Sequence, residues 1–144
     1  HFFSPVDRMA LVEVIRGDLT GDETVTAARA FVQSLGKTAV VCIDSPAFIV
    51  NRVARPFYGE AFRLLGERAS DPQTIDRLIT SLGFRMGPFA LLDLIGLDVN
   101  LAVTQSVYDA YFQEPRYRPH PIQRRMVESG RLGRKSGRGF YDYE

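Results

Sequence analysis

Residues 9–16, Met-Ala-Leu-Val-Glu-Val-Ile-Arg, and residues 38–43, Thr-Ala-Val-Val-Cys-Ile, are the two stretches that decide the fold. The first is rich in branched apolar side chains and predicts a strand that ends at Gly17. The second is β-branched and continuously apolar, which predicts a strand buried on both faces of a parallel sheet.

Between these two strands the sequence predicts one helix. Asp22 is its expected N-cap and Gly36 is expected to close it. Apolar residues follow at helical spacing, namely Val25, Ala28, Phe31, Val32 and Leu35. Strand, helix and strand make one βαβ unit. Because two strands do not form a stable parallel sheet alone, we expect this unit to be the edge of a larger sheet.

From Ser45 and Pro46 onward the sequence predicts helices only. The first runs from Phe48 to about Glu67, and Pro56 is expected to kink it or to shift its start. Further helices are expected over residues 72–82, 89–95 and 98–112. Pro115, Pro119 and Pro121 are expected to bound a loop, after which a short helix reaches Ser129. The expected core residues of the helix over residues 98–112 are Leu101, Val103, Val107, Tyr108 and Tyr111.

Composition narrows the class of protein. With 144 residues, 45% of them apolar, and a net charge of +1, the chain suits a folded domain and offers no electrostatic basis for binding nucleic acid or a membrane. No apolar run approaches the roughly 20 residues that a membrane span needs. The single cysteine, Cys42, excludes an internal disulfide and suits a reducing compartment, so we expect a cytoplasmic protein. Its apolar neighbours predict a buried, inert thiol.

Two residues near the start suggest acid–base chemistry. His1, one of only two histidines, lies in an apolar segment that Pro5 bounds, and Glu13 follows on the predicted strand. A carboxylate can hold one tautomer of an imidazole and stabilise its charged form, and a turn around Pro5 would bring the two together. The residues alone leave open, and even favour, a simpler interpretation: a terminal or tag-derived histidine and a solvated glutamate. Asn51 is similarly open, since its amide can cap a helix or donate to a ligand carbonyl.

The remaining motifs point to no specific chemistry. The sequence has no G-x-G-x-x-G dinucleotide fingerprint. Residues 130–137 superficially resemble a phosphate loop, but no glycine directly precedes Lys135 and no strand leads into the loop. We expect a solvated basic turn there, held against the helices by the terminal aromatics Phe140, Tyr141 and Tyr143. No Cys/His set has the spacing of metal ligands, and His120 is expected to be a loop residue.

Five motifs, in order along the chain, resemble the 3-hydroxyacyl-CoA dehydrogenase family. They are residues 1–5 (His-Phe-Phe-Ser-Pro), 11–15 (Leu-Val-Glu-Val-Ile), 45–52 (Ser-Pro-Ala-Phe-Ile-Val-Asn-Arg), 86–96 (Met-Gly-Pro-Phe-Ala-Leu-Leu-Asp-Leu-Ile-Gly) and 133–141 (Gly-Arg-Lys-Ser-Gly-Arg-Gly-Phe-Tyr). Residues 51–58, with residues 98–100, resemble in particular the bacterial members of the phenylacetate pathway, which are thought to oxidise 3-hydroxyadipyl-CoA.

The resemblance implies a mainly α fold. Residues 1–45 would be the βαβ remnant of a Rossmann-type NAD-binding domain, and residues 46–144 a helical substrate and dimerisation domain. It implies the C-terminal portion of an NAD-dependent enzyme that oxidises (S)-3-hydroxyacyl-CoA to 3-ketoacyl-CoA, and we expect the 144-residue chain alone to be inactive. The implied partners are an acyl-CoA substrate and a second copy of the chain. The unpaired edge of the βαβ unit and the apolar helix faces also predict a dimer, for which exchange of the N-terminal segment is one route. The alternative is a non-catalytic dimerisation and substrate-binding module.

The resemblance also implies roles for individual residues. His1 would be the base that takes the proton of the substrate's 3-hydroxyl, and Glu13 would orient it. Asn51 would position the substrate oxygen, and Ser4 would lie beside the nicotinamide of NAD, which is bound mainly by a domain outside this chain. The implied substrate contacts are Asn51, Arg52, Gly87 and Pro88.

Two positions depart from the family pattern. Ser4 stands where the family usually has asparagine, next to the nicotinamide and substrate. Serine is shorter and donates a single hydrogen bond, so that contact is expected to be lost or mediated by water. Ala47 stands where the family usually has glycine, which is expected to shift the turn before Asn51. For a substrate with a second carboxylate, the candidate cations are Arg52, Arg55 and Arg85, each of which can equally be a surface charge.

Overall fold

The computed structural model describes residues 1–143, in which a parallel strand pair is followed by helices. The predicted mainly α fold with a preceding βαβ unit is confirmed. The elements are β1 (Leu11–Arg16), α1 (Asp22–Ser34), β2 (Thr38–Ile43), α2 (Val50–Gly66), α3 (Pro72–Ser81), α4 (Pro88–Ile95), α5 (Leu97–Ala110) and α6 (Pro121–Glu128). The chain divides into two compact units, residues 1–52 and the part from Val53 onward. The domain boundary after residue 45 stays a prediction.

The first unit contains the predicted βαβ arrangement. β1 and β2 pair in parallel, with Leu11 opposite Thr38 and Arg16 opposite Ile43. Its core is formed by valines on β1 and α1, namely Val12, Val14, Val25 and Val32. The expected N-cap is wrong by one position, because Gly21 is the cap and Asp22 is the first helical residue. A carboxylate at that position still stabilises the helix, because the positive end of the helix dipole lies at the N-terminus.

β2 is not buried on both faces, as its apolar sequence had predicted. Val41 is 39% exposed and Ile43 is 73% exposed. The physical reason is that, among the described residues, β1 is the only strand paired with β2. Cys42 is correspondingly half-buried rather than buried. Burial and the charge of Glu13 raise the pKa of its thiol, which keeps the sulfur protonated and agrees with an inert cysteine.

The second unit is helical, and local signals set its helix starts. Asp71 caps α3 by accepting a hydrogen bond from Thr74 N at 2.9 Å, and Pro72 follows as the first helical residue. The buried core spans five helices and comprises Tyr58, Ala61, Phe62, Ile75, Phe89, Leu92, Leu97 and Met126. α2 begins two residues later than Phe48 and continues through Pro56.

The buried face of α5 differs from the predicted one. Of the five expected core residues only Val107 is buried, and the others on that face are Leu97, Asn100 and Thr104. Both side chains accept hydrogen bonds inside the core, because Arg55 Nη1 donates to Thr104 Oγ1 at 2.9 Å and Gln123 Nε2 donates to Asn100 Oδ1 at 2.8 Å. Asn100 Nδ2 has no hydrogen-bond partner among the described residues. The buried face was predicted from the spacing of apolar residues. That spacing does not reveal polar residues that hydrogen bonds allow to be buried.

Two buried carboxylates hold the C-terminal tail, and the predicted aromatic clamp is confirmed. Asp93 accepts hydrogen bonds from Phe140 N and Tyr141 N, each at 3.0 Å, and from the Tyr143 hydroxyl at 2.9 Å. Asp76 accepts one from the Tyr141 hydroxyl at 2.8 Å. Gly133, at φ 101°, passes so close to the Asp93 backbone that any Cβ would collide with it.

No single helix within residues 1–143 is long and apolar enough to cross a membrane, and α4 and α5 meet that test only as a pair bent by 100°. The same residues contain no group of three or more His, Cys, Asp or Glu side chains placed to hold a metal ion.

Candidate active site

His1 and Glu13 lie opposite each other in a short antiparallel pair. Glu13 N donates to His1 O at 3.1 Å, His1 N donates to Glu13 O at 2.7 Å, and Phe2 bridges to Val12. A turn makes this return possible, since Arg8 N and Met9 N both donate to Pro5 O. Directly opposed residues of an antiparallel pair present their side chains on the same face. The predicted turn around Pro5 therefore brings the two side chains together.

The side chains of this pair form a direct hydrogen bond. His1 Nδ1 lies 2.7 Å from Glu13 Oε2, and the glutamate side chain is 1% exposed while the imidazole is 31% exposed. A buried carboxylate at that distance favours the tautomer with the proton on Nδ1. The lone pair is then on Nε2, which makes no hydrogen bond to the described residues. This arrangement suits a general base that faces a ligand.

The second oxygen of Glu13 binds the start of α2. Glu13 Oε1 accepts hydrogen bonds from Ile49 N at 3.0 Å and from Val50 N at 2.9 Å. These N–H groups belong to the first turn, which has no intrahelical acceptors, and the helix dipole favours a negative charge there. Sequence reasoning missed this contact. The partners are 36 and 37 positions apart, and no local pattern links a strand glutamate to a distant helix start.

A strained turn precedes that helix start. Ala47 has φ 68° and Phe48 has φ 49°, both in the left-handed region that favours glycine. Glycine, which the resemblance implies at this position, adopts such a conformation without strain. The turn carries the Phe48 ring to 5.5 Å from the His1 ring, and Phe3 lies at 4.7 Å from the same imidazole. Two aromatic rings therefore border the candidate base.

The other predicted site residues lie at two places. Asn51 directly follows Val50 in the first turn of α2 and is half-buried, with Arg52 exposed beyond it, while Ser4 is exposed in the turn after Phe3. The roles proposed for them stay predictions.

Gly87 and Pro88 belong to the second unit. Gly87 caps α4 so closely that a Cβ would collide with the backbone of Asp76, and Pro88 is buried. Close packing therefore accounts for a glycine and a proline at these two positions. Their role in substrate binding stays a prediction.

Comparison with the sequence models of known protein families shows to which family the chain is related. The sequence model of the 3-hydroxyacyl-CoA dehydrogenase C-terminal domain matches residues 48–143. The model of the NAD binding domain of the same enzymes matches residues 1–45. The chain belongs to the 3-hydroxyacyl-CoA dehydrogenase family. The resemblance inferred from the five motifs is therefore confirmed.

Individual members of the 3-hydroxyacyl-CoA dehydrogenase family are similar over the whole chain. The 3-hydroxyadipyl-CoA dehydrogenase of Escherichia coli is 50% identical over 99% of this chain and 30% of its own length. A probable 3-hydroxybutyryl-CoA dehydrogenase of Bacillus subtilis is 44% identical over 100% of this chain and 50% of its own length. The crystal structure of (S)-3-hydroxybutyryl-CoA dehydrogenase from Ralstonia eutropha superposes with a TM-score of 0.94 at 47% identity, over 100% of this chain and 51% of that one. The chain thus spans between about a third and half of the length of these relatives.

Proposed function

We propose that this chain supplies the catalytic base of an NAD-dependent dehydrogenase that oxidises (S)-3-hydroxyacyl-CoA to 3-ketoacyl-CoA. The observation that carries the proposal is the 2.7 Å contact between His1 Nδ1 and the buried Glu13 carboxylate, which leaves Nε2 open. Histidine is the side chain whose charge changes near neutral pH, so a carboxylate-held imidazole suits proton removal from an alcohol. The family to which the chain belongs supports the same reaction.

In this proposal each residue has one task. His1 Nε2 accepts the proton of the 3-hydroxyl, and Glu13 stabilises the resulting imidazolium through Nδ1. The amide of Asn51 donates to the substrate oxygen on which negative charge develops. Bound NAD supplies the acceptor for the hydride that leaves C3. Ser4, exposed in the turn after Phe3, is the residue of this chain proposed to face the nicotinamide.

For NAD itself, the described residues fit only part of a site. The open Nε2 and the exposed Ser4 suit a reaction partner at the edge of the first unit. No G-x-G-x-x-G occurs in the sequence, so the pyrophosphate fingerprint is not among these 144 residues. We therefore propose that the 144-residue chain alone does not turn over substrate.

A substrate with a second carboxylate is the finer proposal. It is supported by residues 51–58 and by the 50% identity to the Escherichia coli 3-hydroxyadipyl-CoA dehydrogenase. Of the three candidate cations, Arg55 is 5% exposed and donates to Asn100 O and Thr104 Oγ1 inside the core. Arg52 and Arg85 are both exposed and stay candidates for binding that carboxylate.

We also propose that the protein is a homodimer, with exchange of the N-terminal segment as one route. Support comes from large apolar side chains exposed on the second unit, since Leu78 is 60%, Leu82 74% and Phe84 53% exposed. A cytoplasmic location is proposed from the single cysteine.

The test of the reaction uses the complete protein and an NAD-linked assay with (S)-3-hydroxybutyryl-CoA and 3-hydroxyadipyl-CoA. Asn51→Ala should lower kcat by about 10²-fold or more, because it removes a donor to the developing charge. Gln105→Ala, which removes an exposed amide on α5, is the matched control and should keep the wild-type rate. Circular dichroism should show both variants folded.

The two candidate functions give opposite results in this assay. A folded Asn51→Ala variant with an unchanged rate would overturn the catalytic proposal. It would favour the alternative of a non-catalytic dimerisation and substrate-binding module.

A further inference from the structure

A basic cleft lies between the C-terminal end of α2 and the start of α6. Its volume is about 460 Å³, and three arginines line it, Arg63, Arg68 and Arg125, against a single carboxylate, Glu67. Leu65 and Ile122 add apolar wall. Clefts of roughly 300–1,000 Å³ are the size that takes small-molecule ligands. The cleft therefore has the size and the charge to hold an anion larger than a single ion.

The cations of the cleft are largely uncompensated. Arg68 and Arg125 form no ion pair with a carboxylate of residues 1–143, and Arg63 is held by Glu60 at 3.0 Å. Burial, together with the charges of Arg125 and Arg63, lowers the pKa of His120. Two guanidinium groups thus remain available for an external anion.

The wall beneath these arginines is formed by the His120 ring, which makes several close contacts. His120 caps α6 by accepting a hydrogen bond from Ile122 N at 3.2 Å, and its ring stacks on Phe62 at 5.8 Å. A Cβ added at Gly66 would lie 3.0 Å from the His120 ring, so the ring is held close to the backbone of α2. The positive end of the α6 dipole faces the same region and adds to the potential.

We propose that this cleft binds the diphosphate of a phosphorylated nucleotide. Guanidinium groups match phosphate oxygens in bidentate geometry, and the apolar wall of Leu65 and Ile122 suits a ribose or base. A concave cleft favours a small molecule over an extended acidic peptide. The binding residues all belong to the unit that begins at Val53, whereas His1 and Glu13 belong to the first unit. The cleft therefore uses none of the residues proposed for the reaction, and with CoA as its ligand it would rest on the proposed function and extend its substrate contacts.

The test follows the Leu65 and Ile122 methyl resonances of the complete protein during titration with pyrophosphate at constant ionic strength, with Ile15 as an internal control. We expect saturable shifts at Leu65 and Ile122 only. Arg68→Gln and Arg125→Gln should each weaken binding by about tenfold or more, the usual loss for one charge-assisted hydrogen bond. Arg77→Gln, an exposed arginine on α3, is the matched control and should leave binding unchanged.

Two nucleotides then identify the source of the diphosphate. Tighter binding of CoA than of ADP at Ile122 would assign the site to the 3′-phospho-ADP part of CoA, and equal binding would assign it to nucleoside diphosphates in general. Both results support the proposal. No shift at Ile122 in millimolar pyrophosphate, an equal shift with added chloride, or binding unaffected by both substitutions would overturn it. Because the readout is a local resonance, it is independent of dehydrogenase activity.

Discussion

Val50 N lies 2.9 Å from Glu13 Oε1, while the other oxygen of the same carboxylate lies 2.7 Å from His1 Nδ1. One buried side chain therefore joins the candidate base to the helix turn that carries Asn51. All partners of the Glu13 carboxylate are hydrogen-bond donors. An ionised carboxylate only accepts hydrogen bonds, so both of its oxygens suit their partners. This relationship makes the position sensitive to the smallest change in side-chain chemistry.

Glu13→Gln should impair both catalysis and stability. Whichever way the amide points, its NH₂ group opposes either His1 Nδ1–H or the N–H groups of Ile49 and Val50. We expect kcat of the complete enzyme to fall by about 10²-fold or more. We expect the free energy of unfolding to fall by about 1–3 kcal/mol. Steady-state kinetics and urea unfolding measure the two effects.

The matched control for this variant is Glu114→Gln, which changes an exposed carboxylate in the loop after α5 in the same way. It should keep both the wild-type rate and the wild-type stability. A Glu13→Gln enzyme with the wild-type kcat would contradict the role assigned to the carboxylate.

Ala47→Gly should stabilise the protein. Ala47 has φ 68°, a conformation that costs an L-residue roughly 1–2 kcal/mol. Glycine removes that cost but loses about 0.5–1 kcal/mol of chain entropy on folding, so a net gain of up to about 1 kcal/mol is expected. The urea midpoint measures it. Ala27→Gly, on the exposed face of α1, should instead destabilise by about 1 kcal/mol, and a loss of stability in both variants would contradict the strain at Ala47.

His120 should make stability depend on pH on the acid side. Burial and the charges of Arg125 and Arg63 lower the pKa of His120 in the folded chain. An unfolded histidine titrates near about pH 6.5, so the contribution of the neutral ring is complete above that pH and is lost as pH falls through the folded pKa. His120→Asn keeps a good N-cap residue without a titrating ring.

We therefore expect the wild-type free energy of unfolding to fall more steeply than that of His120→Asn as the pH falls below about 6.5. The other histidine, His1, is present in both proteins, so its contribution cancels in the difference. Parallel pH profiles of the two proteins would show that the cap at α6 does not titrate as proposed.

Tyr141 should make stability depend on pH on the alkaline side. Burial, and then its hydrogen bond to Asp76, raise the pKa of the Tyr141 hydroxyl. An unfolded tyrosine ionises near about pH 10, so the contribution is complete below that pH and is lost as pH rises above it. Tyr141→Phe should be less stable at neutral pH by about 1 kcal/mol and should lose less stability above pH 10.

Urea midpoints measured across that alkaline range test this prediction. Tyr108→Phe is the matched control, because the Tyr108 hydroxyl makes no hydrogen bond to the described residues. If Tyr141→Phe and the wild type lose stability equally above about pH 10, the clamp on the tail does not depend on the protonated hydroxyl.

The sequence predicted most of the elements because their signals are local. Two helix starts are predicted by pairs of adjacent residues, Asp71 with Pro72 and Gly87 with Pro88. In the structure, α3 and α4 begin at these positions. The strand–helix–strand order followed from short apolar runs. Which face of α5 is buried was harder to predict from the sequence. Apolar periodicity placed Tyr108 and Tyr111 in the core. In the structure Asn100 and Thr104 are buried instead, because they accept hydrogen bonds from Gln123 and Arg55.

By itself, the sequence determined the mainly α architecture and the βαβ unit at its start, because propensity, capping and turn chemistry act over a few residues. The pairing of His1 with Glu13 was favoured only by the family resemblance, since the residues alone favoured a simpler interpretation. Only the tertiary structure decided that Glu13 also binds Ile49 and Val50, and that Asp76 and Asp93 hold the tail. Those contacts join residues tens of positions apart. They exist because a buried carboxylate must find donors, and which donors are in reach depends on how the whole chain folds.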